Sequence, residues 1–289
     1  ANMKFFQYYD ENHTVRLGFC RGELLADAQA SVKKSGAEIP TTLTDLLHHA
    51  DRKTVLEAYQ TIEPVAISGE ISFAPAVSAP EKIICIGLNY KAHMDEIGFA
   101  RDREFPPVFP KYPSSLTGHE QLIHLPKTGE QFDYEAELVI VIGKEAHEVT
   151  TEQAQDCIFG YTAGNDFSAR DLQFKTGQWL LGKACDDFAP AGPFLVPADA
   201  LDADHLHISC RVNGELRQDS NTSNMIFSCA EIVSYLSQYM TLKPGDMIYS
   251  GTPDGVILGM PDDRKKWLTH GDTIEVTIEG IGTLKNTIA

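Results

Sequence analysis

DYEAELVIVIG, Asp133 to Gly143, is the stretch on which the fold turns. From Leu138 to Ile142 it is an unbroken apolar run, the signature of a strand covered on both faces. Three acids precede the run, at positions 133, 135 and 137. Side chains two apart in a strand point to one face, so Asp133, Glu135 and Glu137 are expected to line one side of a strand otherwise built for an interior. A solvated strand edge carries such acids without further purpose, and so does a surface loop that ends where Leu138 begins. A divalent cation is the other reading. Neighbouring carboxylates in a low-dielectric site cannot both stay ionised cheaply, and a bound dication removes that cost. A further acid, Asp166 in GYTAGNDFSARD, follows another apolar strand and a Gly-Asn turn, so it too sits at a strand mouth. Oxygen-only ligands select Mg²⁺, Mn²⁺ or Ca²⁺ over Zn²⁺. Three carboxylates leave open positions for water or a chelating substrate.

Outward from this stretch, short apolar runs alternate with Gly and Pro turns from Lys82 onward. KIICIGLNY, IFGYTAGND, GPFLVP, LHISCRVNG, DMIYSGTP and DTIEVTIEG all read as strands. Helical patterns are few: TTEQAQDCIFG begins one, FSCAEIVSYLSQYM is the clearest, and NYKAHMDEIG is a third. Many strands, few helices and no regular βαβ rhythm argue for an α+β, β-rich mixed fold and against a Rossmann or TIM layout. Residues 1–75 read as a small N-terminal α+β domain. MKFFQYY and VRLGFC are its strands; TTLTDLLHHA and KTVLEAYQ are its helices, with Thr42 or Thr44 as caps. The Pro/Ala-rich connector Ala74 to Pro80 marks the boundary, and residues 76–289 form the second, larger domain.

The formal charge of -17 describes a surface that repels nucleic acid and anionic membranes. A small anionic substrate remains compatible with it, because a pocket can be locally positive; Arg and Lys within a site therefore matter. No apolar run approaches the ~20 residues of a membrane span. The N-terminus has no basic region followed by an apolar core, so no secretory signal is expected there. The six cysteines form no CxxC pair and read as small buried hydrophobes, reduced in a cytoplasm.

Other candidates lie outside the acidic stretch. His93 and Glu96 stand at i, i+3, so on a helix they share a face and can touch. A lone histidine is ordinarily a surface or core residue; a carboxylate beside it can fix its tautomer and raise its pKa, as a general base requires. Asp95, at i, i+2, points away. Lys183, in WLLGKACDD, reads by itself as a surface cation with a buried stem. Arg170 and Gln173, in SARDLQ, follow Asp166 along one turn; the arginine suits a bidentate carboxylate, or else an ion pair with Asp171 or Asp187. Gly251 and Thr252, in YSGTPDGV, lie directly after a strand, where backbone N–H groups and the hydroxyl can hold a carboxylate or simply make a turn. His205 and His207 alternate along an expected strand and read as exposed. His48, His49 and DDRKK read as surface.

Six stretches occur in order: DYEAELVIVIG, GYTAGNDFSARDLQ, GKACDDFAPAGP, VNGELRQ, LKPGDMIYSGTPDGV and GDTIEVTIEGIGTLKN. Together they resemble the fumarylacetoacetate hydrolase family, from roughly Lys82 to Ala289. The resemblance implies a mixed β-sandwich roll, a homodimer, and Mg²⁺ or Mn²⁺ (with Ca²⁺ as a substitute) held by Glu135, Glu137 and Asp166. Asp133 then stands behind the ligands. It also implies that His93 and Glu96 activate water from a short mobile helix, so that His93 to about Arg103 is poorly ordered without ligand. Lys183 then faces the metal and stabilises developing negative oxygen, while Arg170, Gln173, Gly251 and Thr252 bind substrate. Many members run Gly-Thr-Pro-x-Gly-Val-Gly; here Ile257 follows Val256, a departure.

Such a metal would chelate a 2-oxo acid through its carboxylate and keto oxygens and stabilise an enolate at C3. Three outcomes follow, and the family contains all of them. Water can split the C3–C4 bond of a 2,4-dioxo acid of acylpyruvate or fumarylpyruvate type; oxaloacetate can lose CO₂; a dienoate of the homoprotocatechuate pathway (2-hydroxyhepta-2,4-diene-1,7-dioate type) can isomerise or decarboxylate. The intact His93–Glu96 pair favours C–C hydrolysis. A metal-binding protein without turnover is the alternative from another class, and it leaves His93, Glu96 and Lys183 idle.

Overall fold

The computed structural model describes residues 3–99 and 104–289. Ala1, Asn2 and residues 100–103 lie outside the described residues, and with them part of the segment expected to be mobile.

The strand Ala136–Ile142 is buried along its whole length. Its period-2 geometry explains the unbroken apolar run. Leu138, Ile140 and Ile142 belong to one core, while Val139 and Val141 belong to another on the opposite face. This strand lies inside a ten-stranded sheet whose order is Leu24–Asp27, Val15–Arg21, Phe5–Tyr9, Phe194–Pro197, Ile158–Asn165, Ala136–Ile142, Met247–Tyr249, Ile83–Ile86 and Val108–Lys111, with Ser72–Phe73 added beside Phe5–Tyr9. Met247–Tyr249 and Ile83–Ile86 run parallel. A five-stranded sheet, in the order Glu215–Asn221, His207–Val212, Thr273–Ile278, Gly282–Ile288 and Leu122–Ile123, packs on the face that carries Leu138 and Ile140. The result is the β-rich mixed fold expected from the sequence.

The expected helices of the main part are present as Lys91–Glu96, Thr151–Asp156 and Cys229–Ser237. Capping boxes start the second and third, from Thr150 with Gln153 and from Ser228 with Glu231.

In the N-terminal part, Thr42 and Asp51 cap the helices Leu43–His48 and Arg52–Thr61. The strand Leu24–Asp27 and the helix Ala28–Ser35 were not anticipated. Asp27 caps that helix, and Gly36 ends it in the left-handed region at φ 75°. Helices this short are marginal alone. Leu43, Leu46, Val55 and Tyr59 anchor them in one core with Val139, Val141 and Met247; each such side chain contributes about 1.5–3 kcal/mol. Phe5 also pairs with Leu195, so both sheet and core run across the Ala74–Pro80 connector.

One local expectation fails. The strand begins at His207, so His205 does not alternate with it; His205 bonds Asp202 and His207 meets Asp219, both histidines being exposed.

Candidate metal centre and active site

Glu137 is the second residue of the central strand, and Glu135 lies just before that strand. The neighbouring strand pairs Asn165 with Ala136. Beyond that pair the backbone is tied back: Asp166 N–H donates to Glu135 O at 2.9 Å, and Glu135 N–H donates to Asn165 Oδ1 at 2.9 Å. These bonds bring Asp166 opposite the glutamates. One carboxylate oxygen from each of Glu135, Glu137 and Asp166 lies within 4.8 Å of the others, and all three residues are buried.

Asp133 does not join this group, although a straight strand would put it on the same face. Phe132–Asp133 pairs instead with Ser168–Ala169. The Asp133 carboxylate accepts from the N–H groups of Ile257 and Leu258, each at 2.9 Å, and from Arg170 Nε at 3.0 Å.

Three buried cations face the acids. Lys183 Nζ lies 3.2 Å from both Glu135 Oε1 and Asp166 Oδ2, so its head does not reach water. Arg170 donates to Asp133, to Glu135 Oε2 at 2.9 Å and to Gln173 Oε1 at 3.0 Å. Neither Asp171 nor Asp187 is its partner: Asp171 accepts from the Glu130 and Gln131 N–H groups, and Asp187 meets His124. Lys111 was missed in the sequence. Its Nζ is 2.5 Å from Asp166 Oδ1 and donates to the carbonyls of Phe167 at 2.9 Å and Phe188 at 2.6 Å. The available signal was alternation, since Phe109 and Lys111 both turn inward from Val108–Lys111.

Asp133, Glu135, Glu137 and Asp166 thus meet Lys111, Arg170 and Lys183, leaving one acid in excess. Burial alone pushes every carboxyl up. At Glu135 the charges of Lys183, Arg170 and His93 outweigh it and hold the carboxyl below its usual range. At Glu137 burial, Asp166 and Glu135 together push the carboxyl well above it. Lys183 goes the other way from what burial dictates, held up by Asp166 and Glu135.

His93 Nδ1 lies 2.9 Å from Glu96 Oε1 on the helix Lys91–Glu96. The other carboxylate oxygen, Oε2, accepts from Gly255 N–H at 2.9 Å. His93 lines a cavity with a polar floor (Glu135, Arg170, Gln173, Lys183, Thr252) and an aromatic wall of Phe99, Phe109, Phe174 and Trp179. Its free space is about 20 Å³, roughly that of one water.

Gly251 and Thr252 engage groups of the central strand, and the carboxylate that Gly251 holds is that of Glu137. Gly251 N–H donates to Glu137 Oε1 at 2.8 Å, from a φ of 110° that favours glycine. Thr252 Oγ1 donates to Ala136 O at 2.8 Å and accepts from Gln218 Nε2 at 2.9 Å. Both hold the strand that carries Glu137, with Glu135 just before it.

Residues 82–289 match the family model described as fumarylacetoacetate (FAA) hydrolase, C-terminal. A mitochondrial oxaloacetate tautomerase of Bos taurus is 38% identical over 255 residues, spanning 86% of this chain and 80% of its own length. The fumarylacetoacetate hydrolase of psychrophilic Exiguobacterium antarcticum has a similar structure, with a TM-score of 0.82 and 33% identity over 99% of both chains. So has the fumarylpyruvate hydrolase of Pseudomonas aeruginosa, solved with Mn²⁺ and pyruvate: TM-score 0.67, 34% identity, 77% of this chain and 98% of that one. Among the described residues no helix is long and apolar enough to cross a membrane.

Proposed function

The chain belongs to the fumarylacetoacetate hydrolase family, and from that premise we propose that it is a Mg²⁺- or Mn²⁺-dependent enzyme that moves a proton at C3 of an oxaloacetate-type 2-oxo acid, interconverting its enol and keto forms. The observation that carries this reading is a histidine held by a carboxylate beside three buried acids with the donor set of a hard cation.

The residues fit such an ion. Glu135, Glu137 and Asp166 offer oxygen only, and Asp166 Oδ1 touches Lys111 without a hydrogen bond in line. Two added positive charges turn the excess acid into an excess cation, which the carboxylate of a 2-oxo acid balances. Held by Glu135, Glu137 and Asp166, such an ion would supply Lewis-acid polarisation of the keto oxygen. Lys183 and Arg170 keep Glu135 ionised and present positive charge at the floor of the cavity. Gln173, Gly251 and Thr252 belong to the same reading as substrate-side groups, with Gly251 and Thr252 also fixing the ligand strand. Glu96 accepts a hydrogen bond from His93 Nδ1–H, leaving Nε2 as the ring nitrogen that carries a proton between C3 and the enol oxygen. The aromatic wall excludes water from this exchange.

Hydrolysis ranked first on sequence grounds; tautomerisation takes its place because it needs only the base, and because a tautomerase is similar across 86% of the chain. Hydrolysis of a C–C bond in a 2,4-dioxo acid stays as the second reading, supported by the similarity to a fumarylpyruvate hydrolase. A homodimer in a reducing cytoplasm completes the proposal, in keeping with six free thiols.

The test is direct. With Mn²⁺ or Mg²⁺ the protein should accelerate the enol-to-keto conversion of oxaloacetate, followed by ultraviolet absorbance, and EDTA should stop it. His93→Ala should lower kcat by about 10²–10⁴-fold. Release of pyruvate from acetylpyruvate would promote hydrolysis. Metal binding without turnover, indifferent to His93→Ala, would leave a binding protein.

A further inference from the structure

Glu96 is held from both ends of one carboxylate. Oε1 meets His93 Nδ1, and Oε2 accepts from Gly255 N–H. The side chain reaches Gly255 by crossing Gly259. A Cβ at residue 259 would stand 2.5 Å from Glu96 Cδ and Oε2, and 2.7 Å from Cγ. Gly259 is not in the left-handed region, so alanine is conformationally acceptable there and the conflict is steric alone. The conflicting atoms are the end of a flexible side chain, so the carboxylate gives way and the fold stays.

The loop that offers this seat is anchored from below. Tyr134 Oη donates to Gly255 O at 2.7 Å, and the Ile257 and Leu258 N–H groups donate to Asp133. Asp133 in turn receives Arg170, whose other nitrogen holds Glu135. Only the backbone of Ile257 takes part, and its side chain is buried in the core. The departure from glycine at that position therefore leaves the seat intact.

We infer that residues 255–259 are a docking seat that references the His93–Glu96 pair to the ligand-bearing strand, and that Gly259 is a positioning residue whose missing side chain lets Glu96 reach it. This deepens the reading above, and its kinetic consequence rests on that reading. Gly255 cannot test it cleanly, because a Cβ there would meet Arg217 O at 2.0 Å.

The experiment is a double-mutant cycle of Gly259→Ala and Glu96→Ala on the Mn²⁺-loaded enzyme. Gly259→Ala should lower kcat by about tenfold or more while KM and Mn²⁺ affinity, read by calorimetry, change less than about twofold. In the Glu96→Ala background, where the space is vacated, adding Gly259→Ala should change kcat less than about twofold. Losses that multiply across the cycle, or a Gly259→Ala enzyme with full kcat, would overturn the inference. A structural arm separates it from the proposed reaction. Amide exchange over residues 91–99, without substrate, should quicken in Gly259→Ala, and unchanged exchange would refute the seat. A wild type with no turnover sinks the proposed reaction but leaves this arm decisive.

Discussion

Among the described residues Glu137 makes no salt bridge, and Lys183 acts on it only through its field. Gly251 N–H supports one oxygen, while Asp166 and Glu135 crowd it with like charge. Glu135, two residues earlier, has Lys183 and Arg170. A dication between the two glutamates would relieve that crowding, as the proposed reading requires. Glu135→Ala or Glu137→Ala should abolish measurable Mn²⁺ binding by calorimetry while far-ultraviolet circular dichroism stays that of the folded protein. Full metal-dependent activity in either variant would reject the ligand assignment. Lys111 makes the opposite prediction. Lys111→Met removes one of the two buried cations that meet Asp166 and leaves Lys183 alone with it, a loss of up to about 3–5 kcal/mol for a broken buried pair. Added Mn²⁺ should raise the urea midpoint of this variant more than that of the wild type, because the ion replaces missing charge; equal shifts would mean that Lys111 and the metal do not share a field.

Among the described elements, the helix Lys91–Glu96 is one of three short α-helices, with Arg170–Gln173 and Leu180–Lys183, that start without a side-chain cap. Tyr90 starts it without a side-chain cap, whereas Ser228 and Glu231 cap Cys229–Ser237 reciprocally. A six-residue helix without a cap sits at the low end of local stability. The cavity beneath it offers about 20 Å³ of free space, and the proposed reading expects this helix to shift when a small acid binds. Amide exchange over residues 91–99 should therefore be much faster than in Ala136–Ile142, and should slow when Mn²⁺ and oxalate are added together. Exchange as slow as that of the central strand in the free protein would contradict the idea.

At the scale of the whole molecule, the sheet does not stop at the connector. Phe5–Tyr9 pairs with Phe194–Pro197, and the N-terminal helices share a core with the central strand. Unfolding should therefore be one transition, and an acid-sensitive contact in the N-terminal part should report on the rest. Asp27 is that contact. Burial raises its carboxyl, but hydrogen bonds from Arg16, Tyr8 and the Ala30 N–H outweigh burial and leave it lowered. A carboxyl lowered by folding adds stability above its unfolded value, about 3.9, and loses it as pH falls through the folded value. Wild-type stability should thus drop more steeply below about pH 4 than that of Asp27→Asn. The readout is the fluorescence of Trp179 and Trp267, both beyond the connector. A tryptophan transition indifferent to Asp27→Asn would mean that the N-terminal part unfolds by itself.

What the sequence determined by itself is what local geometry dictates. A continuous apolar run specifies a strand with two covered faces, an i, i+2 spacing sets Glu135 and Glu137 side by side, and an i, i+3 spacing sets His93 against Glu96. What only the tertiary structure decided lies across long separations. Asp166 reaches the glutamates through a strand register, Lys111 arrives from the far edge of the sheet, Arg170 chooses Asp133 and Glu135 over its sequence neighbours, and Gly259 clears a path for Glu96. Side-chain periodicity belongs to a single element and is written in that element's residues. Which elements become neighbours is set by how all the apolar faces are buried together, and no short stretch carries that information.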